Sequence, residues 1–284
     1  MRVCKFGGSS LSDANGFRNA ASITRSNPER RAAVFSAPGV RGAGDEKVTD
    51  LLFRIGDRAG KGRSFWREKK VLTDRFREIE SDLIGDTSTA DRLIESINDR
   101  IGQGTAMLVS MGEEFSCLVM VRFMRKNGIN AGMFDSGVDL PVTMDENGSV
   151  YVHNSEYMGI RARLVSLLHS HEFVCAPGFY GVDENGERRL FARGGSDYTL
   201  IILGKVIGAE CEKFTDVCGI MDKDPRVHAD ASVIARLNHS ELAQMTGNGC
   251  RVVQHEAAEL MRDSGIRLRI SSSFSPLEMG TVVG

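Results

Sequence analysis

The chain reads as an α/β protein, a three-layer αβα sandwich with a mainly parallel central sheet. Two observations predict it. Apolar runs of strand length alternate with helical stretches along the 284 residues, and such alternation places helices on both faces of a parallel sheet. Early runs also end in glycine-rich turns, Gly7-Gly8 and Pro38-Gly39, and in such sheets ligands collect at the carboxyl ends of the strands.

The elements follow in order. Val3 to Phe6 is a short strand running into Gly7-Gly8-Ser9-Ser10, and Ser12 or Asp13 can cap a helix reaching about Ser22. Ala32 to Ala37 is a second buried strand. Residues 40–47, glycine-rich and charged, suggest a mobile loop. Val48 to Arg100 reads as a charged helical insertion, solvated on one side, with Val71, Leu72, Phe76, Ile79 and Leu83 on an apolar face. Thr105 to Ser110 reads as a strand. A helix starts at Gly112-Glu113-Glu114 and stops at Gly128. Ile129–Phe134, Phe173–Ala176, Cys211–Val217 and Ile266–Ile270 read as strands, and 196–207 and His255–Asp263 as helices.

Composition sets outer bounds. Hydrophobic residues make up 41% and charged residues 26%, with a formal net charge of -2, which gives no electrostatic case for nucleic acid or an anionic membrane. No apolar run reaches the ~18 residues of a membrane helix. No signal peptide is evident, so a cytoplasmic location is expected. Six scattered cysteines without a C-x-x-C pair argue against a disulfide framework or a zinc site, and no metal ligands are assigned.

Four segments can carry chemistry. Arg193-Gly194-Gly195-Ser196-Asp197-Tyr198-Thr199 opens a helix, whose N-terminus suits a phosphate or carboxylate. Its plain alternative is an ordinary cap made by Ser196 or Asp197. Lys5-Phe6-Gly7-Gly8-Ser9-Ser10 can aim an ammonium and two backbone amides at phosphate oxygens, though it is no Walker A loop. Otherwise it is a simple strand-to-helix turn. Glu113, in Ser110-Met111-Gly112-Glu113, can hold an ammonium group, and the helix dipole favours its ionised form. Thr215-Asp216 and the loop through Met221, Asp224 and Arg226 can hold a nucleotide, or form a plain acidic turn.

Together these motifs resemble the aspartate kinase branch of the amino acid kinase family. The Lys5 to Ser10 segment, Ser36-Ala37-Pro38-Gly39 with Lys47 to Leu52, Ser110 to Glu113, Gly178-Phe179, Arg193 to Thr199, Thr215 to Arg226 and Ser273 to Thr281 occur in the family's order. The resemblance implies an amino acid kinase-like fold as a single domain over 1–284. Its amino-acid-binding lobe would span about 1–200 and its nucleotide-binding lobe about 201–284.

It further implies γ-phosphoryl transfer from ATP, with Mg²⁺ on its phosphates, to the β-carboxylate of L-aspartate. Lys5 would neutralise the transferring group, aided by Gly7, Gly8, Gly194 and Gly195, with Ser9 and Ser36 alongside. Arg193 would clasp the α-carboxylate and Glu113 the α-ammonium, with Thr49, Phe179 and Ser196 around the acceptor. Asp197 would organise Lys5; Thr215, Asp216, Met221, Asp224, Arg226 and Arg251 would meet the nucleotide. A homodimer is the implied assembly.

The chain departs from the family pattern at four places. Met221 stands for a Tyr, Arg251 for a late Lys, Val253-Gln254-His255 for Leu-His-Pro, and Ala192 for a Gly. The sequence also stops at Gly284, where the family usually continues into ACT-type regulatory domains, so feedback control through such domains is not expected. The alternatives are a kinase for another amino acid or modified aspartate, and a non-catalytic nucleotide-binding subunit.

Overall fold

The structure, a computed structural model, describes residues 1–284 except 224–226 and 229. The nucleotide contacts expected of Asp224 and Arg226 therefore lie outside the described residues. Strand β1 (Arg2–Phe6) leads through a short 3-10 turn (Gly8–Leu11) into α1 (Ala14–Arg25), and β2 (Arg30–Phe35) follows. Asp13, not Ser12, caps α1, its Oδ1 accepting the Gly16 amide at 2.9 Å.

The next stretch is helical: α2 (Val48–Gly60), α3 (Trp66–Ile84), α4 (Ser88–Glu95), α5 (Ile97–Gly102), α6 (Thr105–Val109) and α7 (Met111–Lys126). Two expectations change here. Thr105 to Ser110 is not a strand but the short helix α6 and its end. Six mostly apolar residues are too few to separate the two periods, and Ala106, Met107 and Leu108 favour helix. The insertion, moreover, is not merely solvated. Leu72, Phe76, Ile79 and Leu83 are buried, and the Phe76 and Phe115 rings stack with centroids 3.8 Å apart. Only Val71 of the predicted face is exposed.

Arg75 of α3 is also buried. It donates to the Glu46 carbonyl (2.7 Å), the Ser12 carbonyl (3.1 Å) and the Gly39 carbonyl. The 40–47 loop is thus anchored at both ends, although residues 40–44 are exposed.

Beyond α7 come β3 (Ala131–Met133), α8 (Ser136–Asp139), the hairpin β4 (Thr143–Met144) and β5 (Val150–Tyr151), α9 (Tyr157–Ser170) and β6 (Phe173–Pro177). A second hairpin, β7 (Tyr180–Val182) with β8 (Arg188–Leu190), precedes α10 (Gly195–Ile207) and β9 (Glu210–Thr215). The chain closes with β10 (Arg236–Leu237), α11 (His239–Gly247), α12 (His255–Ser264), β11 (Leu268–Ser272) and β12 (Thr281–Val283).

Eight strands form one sheet in the order β10-β12-β11-β9-β1-β2-β6-β3. Every pairing is parallel except β11 with β12. Side chains alternate across it. Cys4, Phe6, Phe35 and Phe214 pack under α1, α3 and α7, whereas Val3, Val34, Val174 and Cys211 pack under α9, α10 and α12. The three layers follow from that alternation, and the ends of β1, β2, β6 and β9 converge on one side. All six cysteines are free thiols. Among the described residues no helix is long and apolar enough to cross a membrane.

Candidate active site

A cavity of about 840 Å³ opens where β1, β2, β6 and β9 end. Lys5, Gly7, Gly8, Ser9, Ser36, Thr49, Glu113, Phe179, Arg193, Gly194, Gly195, Ser196, Thr215 and Asp216 all line it. These sequence-predicted residues come from seven separate segments. A smaller groove of about 590 Å³ between Thr24–Arg31 and His169–Phe173 gathers none of them.

Tight backbone contacts shape the walls. The Gly39 amide donates to the Gly8 carbonyl at 2.7 Å. A Cβ on Gly39 would stand 2.4 Å from the Gly8 carbonyl carbon, and one on Gly8 would stand 2.8 Å from the Ala37 oxygen. These glycines let two loops touch, a packing role that the anion-cradle reading did not include. Gly7 also differs from expectation. Its amide donates to the Phe214 carbonyl at 3.2 Å and so joins β1 to β9 instead of facing the cavity.

The Gly194 turn departs from the cap reading of the sequence. Gly194, with φ 95°, is itself the cap residue of α10, and neither Ser196 nor Asp197 caps the helix. The Gly195 amide turns back to the Ala192 carbonyl at 2.9 Å. Ser196 Oγ instead shares a 3.0 Å hydrogen bond with Ser36 Oγ, joining α10 to the end of β2. Phe179 is held at φ 77°, a conformation that costs a non-glycine residue about 1–3 kcal/mol and clusters at ligand sites. Its carbonyl accepts the Phe191 amide at 2.9 Å, and both rings line the cavity.

A buried cluster of charges lies beneath the cavity. Asp197, buried in the first turn of α10, lies 3.2 Å from Lys5 Nζ through Oδ1. Through Oδ2 it lies 2.5 Å from Lys213 Nζ and accepts the Gln254 amide at 3.2 Å. Burial pushes the Asp197 carboxyl up, but the ammoniums of Lys213 and Lys5 outweigh it and hold the carboxyl below its ordinary value. Glu113 is buried on the cavity wall, and one of its oxygens, Oε2, has no partner among the described residues. Burial pushes its pKa up to about 8, against the weaker pull of backbone amides and Lys5. The expectation that the helix dipole keeps Glu113 ionised is therefore overturned, because a terminal dipole is worth less than full desolvation.

Arg193 projects outward, 82% exposed, with only a loose 3.4 Å pair to Asp50. It is free to turn onto an incoming anion. Thr215 Oγ1 donates to Asp216 Oδ1 at 3.0 Å at the cavity mouth. Of the predicted residues described, Asp197 lies behind the cavity lining, and two nucleotide contacts are not brought to it. Met221 is half-buried and bridges to Val233, and Arg251 is exposed to solvent.

Sequence reasoning missed Lys213, and it missed Lys47, Asp50, Phe53, Leu190 and Phe191 in the lining. A lysine inside the strand Cys211-Glu212-Lys213-Phe214 was the available signal, since lysine is almost never fully buried without a partner.

The fold and this site define a class. The model of the amino acid kinase family matches residues 1–272, and the chain belongs to that family. Among its relatives, aspartokinase 3 of Bacillus subtilis is 28% identical over 100% of this chain and 63% of its own length. Lysine-sensitive aspartokinase 3 of Escherichia coli is also 28% identical, over 99% and 63%. The crystal structure of Escherichia coli aspartokinase III in complex with aspartate and ADP superposes with a TM-score of 0.88 at 27% identity, covering 100% of this chain and 64% of that one. Clostridium acetobutylicum aspartate kinase gives 0.85 at 29%, covering 100% and 63%. The chain thus spans under two thirds of the length of these relatives.

Proposed function

We propose that the chain binds ATP with Mg²⁺ on its phosphates, together with L-aspartate, in this cavity. It would transfer the γ-phosphoryl group to the β-carboxylate, giving 4-phospho-L-aspartate and ADP. The observation that carries this reading is the convergence of Lys5, Glu113 and Arg193 on one cavity, with Asp197 paired to Lys5 behind its lining, in a chain similar to a kinase solved with aspartate and ADP.

A β-carboxylate oxygen forms the new bond to the γ-phosphorus while the bond to the β,γ-bridging oxygen breaks and ADP leaves. The acceptor, with an ordinary pKa near ~3.9, is already an anion and needs no general base. Positioning and cationic stabilisation then supply the catalysis. The Lys5 ammonium meets the phosphoryl oxygens. Arg193 clasps the α-carboxylate with its planar fork, and Glu113 accepts the α-ammonium, losing its own proton as it does so. Thr49, Phe179 and Ser196 enclose the acceptor, and Thr215 and Asp216 meet the nucleotide. In this reading residues 1–200 serve the acceptor and 201–284 the nucleotide. A homodimer, supported by family resemblance alone, and a cytoplasmic location also belong to it.

The test traps the product. Purified protein is incubated with ATP, Mg²⁺, hydroxylamine and a panel of acidic amino acids. Hydroxamate formed with L-aspartate is the expected result. Hydroxamate with another acid alone would reassign the acceptor, and nucleotide binding without hydroxamate on any acceptor would overturn the reading.

A further inference from the structure

Lys5 and Lys213 are register partners on the adjacent parallel strands β1 and β9, so their side chains leave the same face of the sheet. Both ammoniums reach one carboxylate. Asp197 does not share itself evenly between them. Lys213 Nζ makes a 2.5 Å hydrogen bond to Oδ2 and also donates to the Val252 carbonyl. Lys5 Nζ stands 3.2 Å from Oδ1, and that oxygen makes no hydrogen bond among the described residues. Lys213 is buried and absent from the cavity lining, whereas Lys5 lines it.

We infer that Lys213 is the counter-ion of Asp197, and that by neutralising this carboxylate it leaves the Lys5 ammonium as an uncompensated positive charge facing the cavity. An isolated Lys5–Asp197 pair would be neutral and would present only a dipole to an anion. Two ammoniums on one carboxylate leave one net positive charge, placed where negative charge gathers during phosphoryl transfer. Lys213 is therefore a positioning residue, acting on the substrate through Asp197 and Lys5. This inference rests on the phosphoryl-transfer reading above and adds to it a residue that the sequence motifs did not contain.

The groups facing Lys213 are Asp197 from α10, Lys5 from β1 and Asp216 at the end of β9. Burial, opposed by the Asp197 charge and assisted by that of Lys5, lowers the Lys213 pKa to about 8. The positive excess is full below that pH and fades as pH rises through it.

The test compares wild type with Lys213→Met and Lys213→Arg, with folding checked by circular dichroism. The first readout is the affinity ratio between the β,γ-imido analogue of ATP and ADP, measured calorimetrically with Mg²⁺ and no acceptor. The second is the pH profile of hydroxamate formation with L-aspartate. Lys213→Met is expected to lower the analogue-to-ADP ratio at least about fivefold, to reduce turnover about tenfold or more at pH 7, and to lack the alkaline loss near pH 8. Lys213→Arg is expected to keep the ratio and to move the alkaline loss upward. A Met variant with the wild-type ratio and the wild-type alkaline limb would overturn the inference. If the Met variant does not fold, an Arg variant that still loses turnover near pH 8 would overturn it. Should wild type itself form no hydroxamate, the proposed reaction fails, and the affinity ratio still decides the role of Lys213.

Discussion

The two faces of the β1–β9 pair carry buried charge in opposite ways. On one face Glu212, opposite Cys4, is met by Arg30 at 2.5 Å and Arg2 at 2.9 Å. Although burial pushes its carboxyl up, the two guanidiniums prevail and hold it below the ordinary value. Glu210 and Glu29 pair further with Arg2, so negative charge answers positive charge and the network is closed. On the other face, one residue along, Asp197 faces two lysines, and at the strand ends above it Glu113, carried by α7, keeps an oxygen with no partner among the described residues. That face is unbalanced and opens onto the cavity. Side chains separated by a single step along a strand thus divide into a closed set and an open set, the latter being the face we propose is reactive, and the distinguishing property is whether the charges are satisfied within the protein.

Breaking the reactive face is expected to give the largest effect. Lys5→Ala should lower turnover about 10²–10³-fold while changing ADP affinity only about threefold or less, as for loss of a group that acts mainly on the transferring phosphoryl group. Equal losses in both, measured by hydroxamate rate and calorimetry, would assign Lys5 to binding instead.

Breaking the closed face should do the reverse. Glu212→Ala leaves two guanidiniums without their buried partner and is expected to cost about 3 kcal/mol of stability in urea titration. Its hydroxamate rate per folded molecule should stay within about twofold of wild type. A large loss of rate without loss of stability would erase the contrast between the faces.

Glu113 sharpens the comparison through pH. Its folded-state pKa is raised from 4.5 to about 8, so the stability that accompanies its protonated form is present below 4.5 and is lost as pH rises through 8. Glu113→Gln should therefore gain melting temperature relative to wild type at pH 8 and little at pH 4.5. The same variant should raise the KM for aspartate about 10–100-fold, the worth of a charge-assisted hydrogen bond. In wild type that KM should fall as pH rises toward 8, because the ammonium of the acceptor is met by the ionised carboxyl. A KM independent of pH would remove Glu113 from the acceptor site. The smallest expected effect is Asp13→Ala, a lost helix cap worth about 1 kcal/mol with unchanged kcat.

Much of this architecture is written locally. The runs at Val3–Phe6, Phe173–Ala176 and Cys211–Val217 became β1, β6 and β9 within a residue or two, because β-rich apolar runs bounded by glycine have few other solutions. The helices at Tyr157–Ser170 and His239–Gly247 went unread. The first is apolar at positions that reach more than one face, and the second is short, so neither shows a clean helical period. The cavity lining was legible because motif residues cluster at strand ends. What stayed hidden depends on register and burial. Lys5 and Lys213 lie 208 positions apart, and only their pairing across β1 and β9 reveals that they share Asp197. The raised pKa of Glu113 was likewise invisible, since the dipole can be read from a sequence and complete desolvation cannot.

The central claim is that acceptor and nucleotide meet over Lys5 in one cavity. A crystal structure with Mg²⁺, ADP and L-aspartate tests it most directly. The account predicts the β-phosphate and the β-carboxylate on either side of the Lys5 ammonium, with Glu113 on the α-ammonium and Arg193 folded onto the α-carboxylate. Nucleotide or aspartate bound away from Lys5, with Arg193 still turned to solvent, would contradict it.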